Sequence, residues 1–107
     1  MTQFELFCMI YYVLDAYYDQ NKNDALRLYL SDANPFIYED SGSADPAVFT
    51  EFCSIVNKPI DYRNSYTMAK YYIEHLNKPA LYDSFLSISE SDWCEGLDEF
   101  LSNPHKK

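Results

Sequence analysis

Glycine is nearly missing from this chain, with two in 107 residues. That shortage weighs against β-rich folds with many tight turns and against a glycine-lined phosphate loop. Basic residues are scarce as well: eight Lys and Arg stand against seventeen Asp and Glu, for a net charge of -9. A field of that sign repels nucleic acid, anionic lipid and phosphorylated substrates, and it attracts a basic partner. Cysteine is limited to Cys8, Cys53 and Cys94, an odd number without a C-x-x-C pair. Neither a zinc knuckle nor a disulfide framework is implied, and three reduced thiols point to the cytoplasm. Long apolar runs are absent too. Leu6 to Leu14 is the nearest approach, far short of the roughly 20 residues that cross a bilayer. Glu5 stands before it where a secretory leader carries Lys or Arg, so it reads as a buried helix and no membrane association is expected.

Catalytic and metal-binding patterns are equally thin. His75 and His105 are the only imidazoles and belong to no H-x-x-x-H or H-E-x-x-H pattern, and no G-x-S-x-G elbow accompanies a serine. Asp40 to Glu51 has the length of a helix-loop-helix calcium loop. However, Gly42 and Ala44 occupy the third and fifth ligand positions, and Asp45 stands where the turn needs glycine. Seventeen carboxylates offer many pairs for acid-base work, and that abundance singles out none. No catalytic residue, metal site or cofactor is therefore assigned, and the chain is read as no enzyme.

What is present is helical. The composition, 48% hydrophobic and 23% charged, is that of a folded chain, and 107 residues fit one domain covering 1–107. Thr2-Gln-Phe-Glu5 has the capping-box form and opens a helix running to about Gln20. Its apolar side is broad, with Phe7, Ile10, Leu14, Tyr17 and Tyr18, leaving a narrow polar strip of Glu5, Tyr12, Asp15 and Asp19. A second helix follows Asn21 or Asn23 and stops before Asn34-Pro35. Pro35 to Asp45 reads as a loop that packs back onto the domain. Asp45-Pro46 starts a third helix through Phe49, Phe52, Cys53 and Val56. Asn64 or Ser65 opens a fourth, with Tyr66, Ala69, Tyr72, Ile73 and Leu76 inward and Thr67, Lys70, Tyr71, Glu74 and His75 outward. Pro79 starts a short fifth helix. Ser89 or Ser91 caps a last one, in which Trp93, Cys94, Leu97, Phe100 and Leu101 separate from Asp92, Glu95, Asp98 and Glu99. The fold class is all-α: a compact single-domain bundle of five or six helices.

Charge and tyrosine give the functional signal. Residues 1–20 sum to -3, 21–45 to -3, 46–80 to +1 and 81–107 to -4, so the two ends hold the field. Between Asp83 and Glu99 there are six carboxylates and no Lys or Arg. Eleven tyrosines include the doublets Tyr11-Tyr12, Tyr17-Tyr18 and Tyr71-Tyr72. Neighbours on a helix point 100° apart, so one member of each doublet turns toward water, and Tyr12 and Tyr71 are the outward ones. Tyrosine supplies stiff contact area with a polar tip and is enriched in binding surfaces. The candidate partner-binding residues are therefore Tyr12, Asp15 and Asp19 on the first helix, Tyr71 on the fourth, and Asp92, Glu95 and Glu99 on the last.

A single short helical domain, acidic at both ends, with no catalytic motif and a tyrosine-rich acidic face, resembles the small cytosolic immunity proteins that neutralise bacterial toxins. The resemblance implies a non-enzymatic inhibitor of a cognate toxin, often a basic nuclease. It would act by presenting carboxylates to the Lys and Arg residues meant for nucleic acid. A helical adaptor or regulatory subunit, binding another protein through the same tyrosine-rich face, fits the residues as an alternative.

Overall fold

A computed structural model of the chain describes residues 2–20, 22–34 and 46–102, and of Pro46 the backbone alone. The expected loop from Pro35 to Asp45, the Asp45 cap, most of the tested calcium loop and His105 lie outside the described residues. Among the described residues there are six helices and no strand: α1 Gln3–Gln20, α2 Asp24–Ala33, α3 Pro46–Ile55, α4 Ser65–His75, α5 Pro79–Leu86 and α6 Glu90–Ser102. None of these is long and apolar enough to cross a membrane.

Local chemistry sets most of the boundaries. The Glu5 amide donates to Thr2 Oγ1 at 3.0 Å while the Thr2 amide donates to Glu5 Oε1 at 2.7 Å, a complete capping box on α1. Asn23 Oδ1 accepts from the Leu26 amide at 2.8 Å and opens α2. Pro79 takes the first turn of α5, where its missing N–H costs nothing. Ser89 Oγ accepts from the Asp92 amide at 3.1 Å at the head of α6. Asn77 closes α4 in the left-handed region, φ 53°, a conformation asparagine tolerates better than most residues.

Asn64 departs from expectation. It stands at the cap position of α4 but makes no side-chain bond to that helix. Its Oδ1 accepts from the Asp61 amide at 2.8 Å and its Nδ2 donates to the Pro59 carbonyl at 3.1 Å. The Asp61 carboxylate returns a bond to the Asn64 amide at 2.8 Å. The side chain thus ties up the turn that seats Ile60 in the core.

α1 packs against α2, α3, α4 and α5 and forms the centre of the bundle. Leu6 through Ile10 are all buried, so its N-terminal half is enclosed on every side. Gln3 Nε2 fastens that end by donating to the carbonyls of Cys53 and Val56, at 3.2 and 2.6 Å. An aromatic layer runs from Phe4 and Phe7 through Phe49 and Phe52 to Tyr72. A second layer joins Tyr66, Phe85 and Trp93. One apolar side chain expected inside lies outside: Leu101 is 41% exposed. Leu101 follows Phe100 by 100° of helix rotation, and the core line through Trp93, Leu97 and Phe100 leaves it beyond the edge.

Gly96 lies where α6 meets α1. A β-carbon added there reaches the Met9 terminal methyl at 3.1 Å, a tight contact with the free end of a flexible thioether. Gly96→Ala therefore gains most of the roughly 1 kcal/mol by which alanine exceeds glycine in a helix. Thermal denaturation followed by circular dichroism is expected to show a midpoint raised by a few degrees. Gly96→Val, whose branches cannot follow the methyl, lowers it.

Candidate functional site

The acidic helix α6 packs chiefly against α4 and touches the other acidic helix, α1, through a few side chains. The Met9–Gly96 approach and an edge-on contact between the Tyr12 and Phe100 rings, centroids 5.7 Å apart, run residues 96–100 along residues 9–12. Together the two helices carry eight carboxylates and no Lys or Arg. The stretch 46–86, which holds α3, α4 and α5, carries four of each sign. The negative field of the described residues is thus concentrated on one pair of adjoining helices.

Tyr12 sits at the seam of this pair. It is half-buried: its ring leans on Phe100 and on Tyr11, so it forms the margin of the core and not a free-standing anchor. Burial first, then Cys8 and Asp15, push its hydroxyl up. Asp15 lies one turn further along the same strip and is half-buried as well. Burial, followed by the Asp19 carboxylate, raises the Asp15 carboxyl, against a lowering contribution from Lys22. Asp19 is exposed and pairs with Lys22 at 3.9 Å, a solvent-washed contact of small energetic weight.

Asp92, Glu95 and Glu99 are exposed along α6. Asp92 has a local reason to be acidic, since the first turn of a helix favours negative charge. Glu99, in the last turn of α6, and Asp19, in the last turn of α1, have the opposite situation. Both ends carry no basic residue, and a carboxylate facing the negative helix pole costs on the order of 0.3–1 kcal/mol. Helix stability does not account for these positions.

Tyr71 belongs to a different surface. It is 48% exposed, and its ring is tilted against His75 with centroids 4.3 Å apart. His75 Nδ1–H donates to the Tyr71 carbonyl at 3.2 Å. Both rings line a concavity of about 470 Å3 between the end of α3 and α4, together with Ile55, Lys58, Thr67 and Met68. The cation in that lining sets it apart from the acidic pair.

Cys8 is buried, and Cys53 and Cys94 are partly so. Burial pushes the Cys53 thiol up, away from the reactive thiolate. Among the described residues no three of His, Cys, Asp and Glu come together as ligands to a metal would.

One polar arrangement has no counterpart in the sequence reading. Tyr29 and Tyr72, 43 residues apart, share a hydrogen bond of 2.8 Å between their hydroxyls inside the bundle. Both lie on apolar stripes. A phenol on a buried stripe needs a hydrogen-bond partner, and that was the available signal. No family model, curated protein or solved structure matches this chain.

Proposed function

We propose that this chain is a non-enzymatic, cytoplasmic binding protein of the immunity type, which neutralises a basic toxin by covering its active surface. The observation that carries the reading is the charge of α1 and α6: eight carboxylates, without a Lys or Arg among them, on two helices that touch at Met9–Gly96 and Tyr12–Phe100. Tyr12 and Phe100 form an aromatic seam between them. Such a face speeds encounter with a basic protein, and the apolar seam slows its release. The burial of Asp15 and the place of Asp19 at the negative pole of α1 support the same reading, because residues that oppose local stability are characteristic of binding surfaces.

An adaptor reading has its own observation. The Tyr71 concavity holds Lys58 and apolar side chains, and its contacts would depend little on salt. The experiment that separates the two is co-expression with the product of the adjacent gene. Suppression of that product's lethality supports inhibition. A harmless neighbour bound equally well at high salt supports the adaptor.

With the purified neighbour, the variant D15N/D19N/D92N/E95Q is expected to associate about tenfold more slowly at low salt, with a flattened salt dependence. Its thermal midpoint stays level or rises, because Asp15 and Asp19 no longer repel. Association rates unchanged across salt reject this face as the contact surface.

A further inference from the structure

A cavity of about 280 Å3 opens between α2, α3 and α4, on elements other than the acidic pair. Tyr29 and Tyr72 form its buried floor, while Asp32, Glu51, His75 and Lys78 are exposed residues around it. At this size it suits a ligand smaller than most drug-sized molecules.

Two features indicate what it takes. The two floor hydroxyls carry two protons, and one is spent in the bond between them. The other has no acceptor among the described residues, although both side chains are buried. The Glu51 carboxylate is close enough to push both phenols up, yet it makes no hydrogen bond with either. The second feature is the rim. The ion pairs of the described residues are Lys22–Asp19 and Arg27–Asp24, so Asp32, Glu51 and Lys78 share one cavity without neutralising each other.

We propose that this cavity binds a small zwitterion of the α-amino acid kind, its ammonium group toward Asp32 and Glu51 and its carboxylate toward Lys78 and the spare phenol proton. Both signs of charge are available and separated, so a ligand bearing both is matched at each end. A phosphorylated ligand meets two carboxylates against one lysine. A simple amine leaves the lysine and the phenol proton unmatched, and a simple acid faces the two carboxylates. Val48, also in the lining, gives a methyl reporter beside the site.

The test is titration of the full chain with each of the twenty protein amino acids, followed by NMR shifts of Val48 and the neighbouring amides. At least one is expected to give saturable shifts. Its decarboxylated amine and its deaminated acid should each bind about tenfold more weakly, the loss of one charged hydrogen bond. D32N/E51Q alters only exposed groups and should abolish the shifts while leaving the fold intact. Tyr29→Phe combined with Tyr72→Phe, which removes both floor hydroxyls and so leaves no phenol proton, should weaken binding about tenfold or more. No saturable shift with any amino acid, equal binding of the singly charged analogues, or undiminished affinity in D32N/E51Q overturns the proposal. None of these readouts involves the α1–α6 face, so this inference stands or falls independently of the function proposed above.

Discussion

Trp93→Ala is expected to destabilise the domain by about 4 kcal/mol, within the range for emptying a buried indole site. For a protein of this size that removes a large part of a total of roughly 5–15 kcal/mol, and the thermal midpoint falls by about 15 °C or more. The reason is position. Trp93 is fully buried, and it meets Tyr66 and Phe85 with ring centroids 6.0 and 5.7 Å away. Its indole N–H donates to Ser65 Oγ at 2.9 Å, while Ser65 Oγ donates in turn to the Tyr62 carbonyl at 2.9 Å. One side chain thus links α6 to the start of α4 and to the turn before it. Two controls separate packing from hydrogen bonding. Ser65→Ala leaves a buried N–H without an acceptor and should cost about 1–3 kcal/mol. Trp93→Phe retains a ring while Ser65 keeps its bond to Tyr62, so it should cost less than the alanine variant. Chemical denaturation of the three variants checks the order. Ser65→Ala matching Trp93→Ala would assign the effect to the hydrogen bond instead of to the core.

The parts of the fold that were readable in the sequence are those fixed by short-range chemistry. Thr2 with Glu5, Asn23 with Leu26 and Ser89 with Asp92 act across three residues, and Pro79 acts on its own position. Apolar periodicity then identified the inward residues of α4 and, Leu101 apart, of α6. What escaped depends on distant parts of the chain. Gln3 reaches the carbonyls of Cys53 and Val56, and no pattern around Gln3 announces that. Asn64 reads as a cap by residue type, but Pro59 and Asp61 compete for its amide and win. Cys8 and Met9 are buried because α1 is enclosed by its neighbours, a property of the packing and not of the helix wheel.

The candidate site divides along the same line. The polar strip of α1 and the acidic row of α6 were each legible from spacing within one helix. Their adjacency was not, because it rests on Gly96 admitting Met9 and on Tyr12 meeting Phe100. Tyr71 and Tyr12 were grouped by residue type and local exposure. The fold separates them, since helix rotation says which way a ring turns from its own axis and nothing about which surface it then joins.

The Tyr29–Tyr72 pair is the second place where a large effect is expected, and it appears in two measurements. Tyr29→Phe or Tyr72→Phe alone leaves the other hydroxyl buried without its partner, at a cost of about 1–3 kcal/mol. The double variant removes both hydroxyls and should cost less than the sum of the singles, with a coupling of about 1 kcal/mol. The second measurement is stability against alkaline pH. Burial first, and then the Glu51 carboxylate, raise the Tyr72 hydroxyl to about 12, although its bond to Tyr29 acts in the opposite direction. Burial, then Tyr72 and Glu51, hold Tyr29 well above the ordinary value as well. Raised phenols keep their protons in the folded state after the unfolded chain has begun to lose them near pH 10. The folded state therefore binds more protons between pH 10 and 12, and its stability falls as pH rises through that window. Tyr72 alone contributes a loss of about 2 kcal/mol by pH 12, and Tyr29 deepens it. Urea unfolding from pH 8 to 12 should show a plateau and then this decline. In the double phenylalanine variant the decline should be shallower, and an equally steep fall there would mean that other tyrosines carry the alkaline limb.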